Sequence, residues 1–340
     1  MSSADDRAAG GPSRAWRFPK PFGWRAVLVI AVATMILART GADVEIGRAL
    51  LESGKGIAAG AGLSQDSQVA RGFRAILAQM FPPQIAEVTE TARIPGFDPH
   101  QPPLFSHVET RTVIVKSLDP DTMRIVDRTT QQEVLVEPVG YLRHVAAKLI
   151  ETFEIALWGT LLAVLIGAPL AFFGARNLSP HPLLIMLCRS VVSFFRAVPE
   201  LISALFFVLA YGFGPAAGVL ALALHAAGFL GKFYAEDIEN TDPGPQEALR
   251  ATGANRLKQL RYAILPQVLP QYVAYTLYIL DRNVRMATVI GLVGAGGIGL
   301  ELKGRYDLYQ YSHVSTILIA IFILVFALDQ LSSWLRRRWI

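Results

Sequence analysis

The chain has 340 residues, 52% of them hydrophobic and only 17% charged, with a formal charge of +5. A water-soluble domain carries about a quarter charged residues, so this balance excludes an ordinary soluble enzyme. The basic surplus sits beside apolar runs, as in cytoplasmic loops, which argues against a nucleic-acid partner.

Residues 1–25 read as a basic cytoplasmic tail (Arg7, Arg14, Arg17, Lys20, Arg25). The run 26–38 reads as a first transmembrane helix, although it is short against the ~20 residues a span needs. A signal peptide is the rival reading. No clean small-x-small cleavage site follows, and the parity of the later spans favours a retained helix. Residues 39–148 are polar and expected on the extracytoplasmic side. Their first part, to Phe81-Pro82-Pro83, shows scattered helical periodicity (Leu50, Phe73, Ile76, Leu77). "VETRTVIVKS", "TMRIVD" and "EVLVEPV" then read as strands separated by turns at "LDPD" and "RTTQQ", a β-rich insertion at about 103–138. A small sheet with open edges cannot sit in hydrocarbon.

Five more spans follow, at roughly 152–173, 183–210, 216–235, 267–293 and 312–334. Six spans put both termini on one side. The basic clusters make that side cytoplasmic, the terminal basic stretch 336–340 included. The expectation is an all-α, multi-pass integral membrane protein of about six helices, with a helical core at 149–335 and the small β-rich insertion. The one cysteine, Cys188, permits no internal disulfide or CxxC cluster, and no metal site or catalytic set stands out.

Between the fourth and fifth spans, residues 236–266 leave the membrane. Asp242 suits an N-cap, and Pro245 and Glu247 suit a first helical turn. Gly253 interrupts, and the basic stretch Asn255–Tyr262 runs on to Leu265 and Pro266. The pattern is helix, glycine bend, helix.

The next span holds Asp281, Arg282 and Arg285, and the second core span holds Arg196 and Glu200. Each charge costs roughly 2.5–3.5 kcal/mol at the bilayer centre on insertion scales, so all should face protein or water. Asp281 and Arg285 are i and i+4 with the acid first, a favourable pair. Arg282 and Arg196 would then be left over as positive charge, suited to a tetrahedral oxyanion. A structural ion pair and an anion path both remain open. His225 and Tyr211 read as packed core residues.

Gly294, Gly296 and Gly299 spell G-x-G-x-x-G, the dinucleotide fingerprint. That fingerprint needs a βαβ unit and an acidic residue about 20 positions on. Here that position falls inside the last span, so the dinucleotide reading fails. Two readings stay open for Gly294, Gly296, Gly297 and Gly299: close helix packing through small residues, or a helix break lining a cavity.

Glu247-Ala248-Leu249, Gly253 and Leu265-Pro266 resemble the E-A-A-x3-G-x9-I-x-L-P coupling motif of ABC-importer permeases. Leu249 replaces the second alanine and Ala263 the isoleucine. "ETFEIALWGTLLAVLIGAPLAFFGARN", "FFRAVPELISALFFV", "GFLGKFYAEDIENTDPGPQEALRATGA" and "NVRMATVIGLVGAGGIGLEL" extend the resemblance over about 150–335, to phosphonate-type ABC-importer permeases. The β-rich insertion has no match in it. The resemblance implies a five-helix permease core of the type I importer kind, alternating access, and transport of phosphonate or a related oxyanion such as phosphate or phosphite. An amino-acid substrate is the alternative. The implied partners are a second permease copy, two ATPase subunits, an extracytoplasmic substrate-binding protein and membrane lipid. ATP and Mg would belong to the ATPase, since this chain has no G-x-x-x-x-G-K-[ST] loop and no bound cofactor is expected on it.

Overall fold

In the computed structural model, residues 23–60, 68–98, 103, 105–118 and 125–339 are described. The chain divides into two units, Met1–Leu77 and Ala78–Ile340. In the first, α1 (Trp24–Asp43) outruns the expected 26–38 stretch at both ends. Helix α2 (Ile46–Gly60) and most of α3 (Gln68–Met80) follow, matching the periodicity of that region. Most of the basic tail and most of the "LDPD" stretch expected to turn fall outside the described residues.

The second unit starts with a three-stranded antiparallel sheet, β1 (Glu87–Glu90), β2 (His107–Leu118) and β3 (Ile125–Glu137), in the order β1-β3-β2. This corrects the strand assignment. "RTTQQ" is no turn, because Arg128 to Gln132 pair continuously with β2, Thr130 opposite Val113 and Gln131 opposite Thr112. The segment holds no glycine, asparagine or proline to supply turn geometry, and its two threonines favour extended backbone. Strand β1 escaped notice because EVTE is too short to show a period.

Helix α4 runs over 35 residues, Gly140–Gly174, starting well before 152. At 1.5 Å per residue it is about 52 Å long, more than the ~30 Å of bilayer hydrocarbon. Its buried residues Thr152, Ala156, Gly159, Ala163, Gly167, Ala171 and Gly174 form one small-residue stripe. The middle of the stripe, around Gly159 and Gly167, packs on α7 (Pro215–Glu239), whose buried face is also mostly alanine and glycine. Lipid tails are as apolar as leucine, so helices in a membrane associate through close packing, and small side chains allow it.

The expected span 183–210 is two helices. Helices α5 (Pro182–Ala197) and α6 (Glu200–Tyr211) meet at 90°. Val198 and Pro199 are both extended, with ψ 119° and 138°. A residue before proline is driven out of the helical region, which breaks the span there. Then come α8 (Pro243–Ala251), α9 (Arg256–Gln259), a π-helical turn at Leu260–Ile264, α10 (Leu265–Gly291), α11 (Gly297–Asp307) and α12 (Tyr311–Trp339).

Among the described residues, α1, α4, α7 and α12 are long and apolar enough to cross a membrane, and the α5–α6 pair makes a fifth if counted as one span. Helix α10 has the length, at 27 residues, but its charges lower its hydropathy. Within the second unit, α8 and α9 join one end of α7 to one end of α10. The turn 292–296 lies at the other end of α10, beside the start of α7 and the first half of α4.

Candidate functional site

Three places carry the residues singled out above. The first is the α8–α9 loop. Asp242 caps α8 by accepting from the Gly244 N–H at 3.0 Å, and Asn255 caps α9 by accepting from the Lys258 N–H at 2.9 Å. Between them Gly253 takes φ +79°, a conformation that costs glycine little and other residues more. The inner side is tied down. Gln246 donates to Thr241 Oγ1 at 2.7 Å, the Asp242 N–H to Gln267 Oε1 at 3.0 Å, and Arg256 to the Leu178 carbonyl at 3.2 Å. The outer side is open: Glu247, Ala248, Gly253 and Pro266 are exposed, with Leu257, Tyr262 and Leu265 beside them. The second helix does not end at Pro266, because the π-helical turn runs it straight into α10.

The second place is a buried charge cluster at the α5–α6 bend. Glu200, the first residue of α6, is 8% exposed. Arg282 of α10 reaches it, Nη2 to Oε1, at 2.6 Å. Arg282 is therefore not left over, as its place in the sequence suggested; its counter-ion comes from another helix. Arg285 does pair with Asp281 on α10. Among the described residues Arg196 has no acid paired with it, and its Nε is buried without a hydrogen-bond partner. Its guanidinium lies 5.3 Å from the Phe229 ring centre, and that of Arg282 lies 4.9 Å from the same ring. Cations are attracted to the face of an aromatic ring. Gly228 makes the approach possible, since an added Cβ there would meet Arg196 Cγ at 2.8 Å.

His225 of α7 closes the cluster. Its Nδ1 lies 3.2 Å from the Val198 carbonyl at the bend. A carbonyl only accepts, so Nδ1 carries a proton. Its Nε2 lies 3.2 Å from Arg282 Nη2 and 3.3 Å from Glu200 Oε1. His225 is thus a working member of the network rather than packing alone. Tyr211, in contrast, is 68% exposed at the end of α6 and is not a core residue. Phe229 and the Asn283–Thr160 hydrogen bond (2.9 Å) carried no period or motif in the sequence; only polar residues within apolar runs hinted at the latter.

The third place is the glycine turn. Helix α10 stops at Gly291, and Gly294, Gly296 and Gly297 all take positive φ. The break is real, but it is closed. Gly297 N–H donates to Glu151 Oε1 at 2.9 Å, and Ile298 N–H to Thr152 Oγ1 at 2.8 Å. The backbone N–H groups that a helix start offers to an anion are taken by α4. Gly294, Gly296, Gly297 and Gly299 are buried, and an added Cβ at Gly296 would meet Pro215 N at 2.9 Å. Close packing is what these glycines do here.

A helical core with a two-helix loop outside it and ionic groups buried within it defines a membrane permease. The match to known proteins is specific. Residues 161–340 fit the family described as "Binding-protein-dependent transport system inner membrane component". The chain is 56% identical over 261 residues (77% of this chain, all of the relative) to a protein assigned by name to a phosphite transport system, the permease HtxE of Stutzerimonas stutzeri. It is 44% identical over 188 residues (55% of this chain, 35% of the relative) to the phosphate-import permease protein PhnE of Mycolicibacterium smegmatis. Among solved structures, an amino acid ABC transporter matches with a TM-score of 0.50 at 21% identity, over 59% of this chain and 96% of that one. That likeness concerns the fold alone. The chain belongs to the binding-protein-dependent transport family: it is a multi-pass permease subunit of an ABC importer, not an enzyme.

Proposed function

We propose that this permease carries a tetrahedral phosphorus oxyanion (phosphite, phosphate or a phosphonate) across the membrane by alternating access. Two copies of the chain would pair, with two ATPase subunits on the side of the α8–α9 loop and a substrate-binding protein on the other. On this reading the loop side and both termini are cytoplasmic, and the sheet is extracytoplasmic. ATP and Mg bind to the ATPase. The names of the relatives support the substrate class. The observation that carries it is the charge cluster at the α5–α6 bend, where Arg196 and Arg282 share the Phe229 ring and, among the described residues, only Glu200 pairs with them. A transport path for an anion needs such a positive excess, and guanidinium forks suit its oxygens.

Glu247, Ala248 and Gly253, with Leu265 and Pro266 beside them, form the ATPase contact on this reading, since they are exposed on a loop whose inner side is anchored. The test is reconstitution of the permease with its ATPase and binding protein in liposomes. ATP-dependent uptake of phosphite, phosphate, methylphosphonate and methionine is then compared. Uptake of methionine alone would overturn the substrate class. Glu247→Lys, or Gly253 replaced by a bulky residue, should abolish uptake with the protein still inserted; normal uptake in either variant would remove the loop from the ATPase contact.

A further inference from the structure

Arg282 is poorly used by the partner it has. Glu200 presents one oxygen to one guanidinium nitrogen, Oε1 to Nη2. The other terminal nitrogen, Nη1, is buried and has no partner. Arginine engages an ideal anion through two parallel N–H···O bonds, so half of this fork is idle. A buried donor left unsatisfied is destabilising. Arg196, which shares the Phe229 ring, has an idle buried Nε of its own. His225 Nε2 also lies 3.3 Å from Glu200 Oε1, the same oxygen that Arg282 engages.

The location of Glu200 matters as much. It is the first residue after the 90° bend at Val198-Pro199, while Arg282 lies inside α10, in its second half. Their contact is a tether from the bend to another span, held by a single bond.

We propose that Glu200 is a resident counter-ion standing in for the transported anion: a tetrahedral oxyanion displaces its carboxylate from Arg282, fills the idle Nη1, and thereby unties α6 from α10. This rests on the oxyanion reading of the cluster and adds a specific competitor to it. An oxyanion brings several oxygens to a fork that the carboxylate engages singly, so it can win locally. Glu200 then returns and expels it, which keeps the site from holding its cargo. Affinity and release are set by one exchange.

The experiment uses the permease assembled with its ATPase in nanodiscs, without the binding protein, and titrates inorganic phosphite and phosphate by calorimetry. Glu200→Gln removes the competing charge while keeping the shape. It should bind phosphite at least tenfold more tightly than wild type, and in liposomes with the binding protein its maximal uptake rate should fall. Arg282→Gln in the same background should remove the gained binding. A Glu200→Gln variant that assembles, melts below wild type and binds no more phosphite would overturn the proposal and make the pair structural. Should that variant fail to assemble, Glu200→Asp decides. Its shorter carboxylate reaches Arg282 less well, so phosphite binding should tighten by a few-fold, and an unchanged affinity overturns the idea. Wild-type liposomes separate the two claims. If they take up no phosphorus oxyanion, the substrate reading fails. If they do, and the Glu200 variants bind as wild type, only the counter-ion role fails.

Discussion

The helical core is broken twice, and the two breaks differ in what they leave undone. At Gly294–Gly297 the turn is closed: the N–H groups of Gly297 and Ile298 are taken by Glu151 and Thr152, and the glycines are packed against the Phe213 ring, the Pro215 backbone and Thr152. At Val198-Pro199 polar capacity is left over, in Arg196 Nε and Arg282 Nη1, both buried without partners among the described residues. Buried polar groups are ordinarily satisfied, and those that are not call for an explanation. The glycine break is therefore a joint, and the proline break is the place where an anion has something to gain. The motif that looked most like a ligand site is the closed one.

Substitutions can break or sharpen that contrast. The largest effect is expected at Gly299, where any Cβ would collide with the Thr288 carbonyl oxygen. Overpacking a core costs about 1–3 kcal/mol, occasionally more, and here the obstacle is backbone that cannot rotate away. Gly299→Val should yield no monodisperse protein on detergent extraction. A well-folded variant would mean that the joint has slack.

Next comes Arg282→Ala. It strands the Glu200 carboxylate, and breaking a buried pair costs about 3–5 kcal/mol. Uptake should be lost and the melting temperature should fall sharply. Arg282→Lys should recover only part of the uptake, because an ammonium keeps the charge but not the fork. Full recovery would remove the argument from fork geometry.

Thr152→Val is predicted to be milder. It keeps the side-chain shape but leaves the Ile298 N–H unsatisfied, at about 1–3 kcal/mol. Thermal melting should show this, with uptake per folded molecule unchanged. A selective loss of transport would mean that the glycine break is more than a joint.

The smallest effect belongs to Arg285 and Asp281. The Arg285 side chain is about half exposed (48%), so its ion pair is screened, and exposed pairs are worth about 0–1 kcal/mol. The double change Asp281→Ala with Arg285→Ala should cost little stability. If it restores uptake that either single change removes, the pair is structural. If uptake stays low in Arg285→Ala and in the double variant alike, Arg285 acts on the anion.

Much of this protein was legible in order of residues alone. Apolar run length marks a membrane chain, because hydrocarbon thickness sets the length of its helices. The spacing of Glu247, Gly253 and Pro266 exposed the loop, because caps and bends are local chemistry. Asp281 and Arg285 could be paired on paper, since a helix puts i and i+4 on one face. Tertiary structure alone decided that Arg282 belongs to Glu200, across 82 positions of chain, with His225 of α7 beside the pair and Phe229 under the guanidinium. It also decided that Glu151 and Thr152 close the glycine turn. These partners meet only after α4, α7 and α10 have packed. No local period encodes which polar group of one helix will face which of another, because helix rotation and depth are set by the small-residue contacts that bring the helices together.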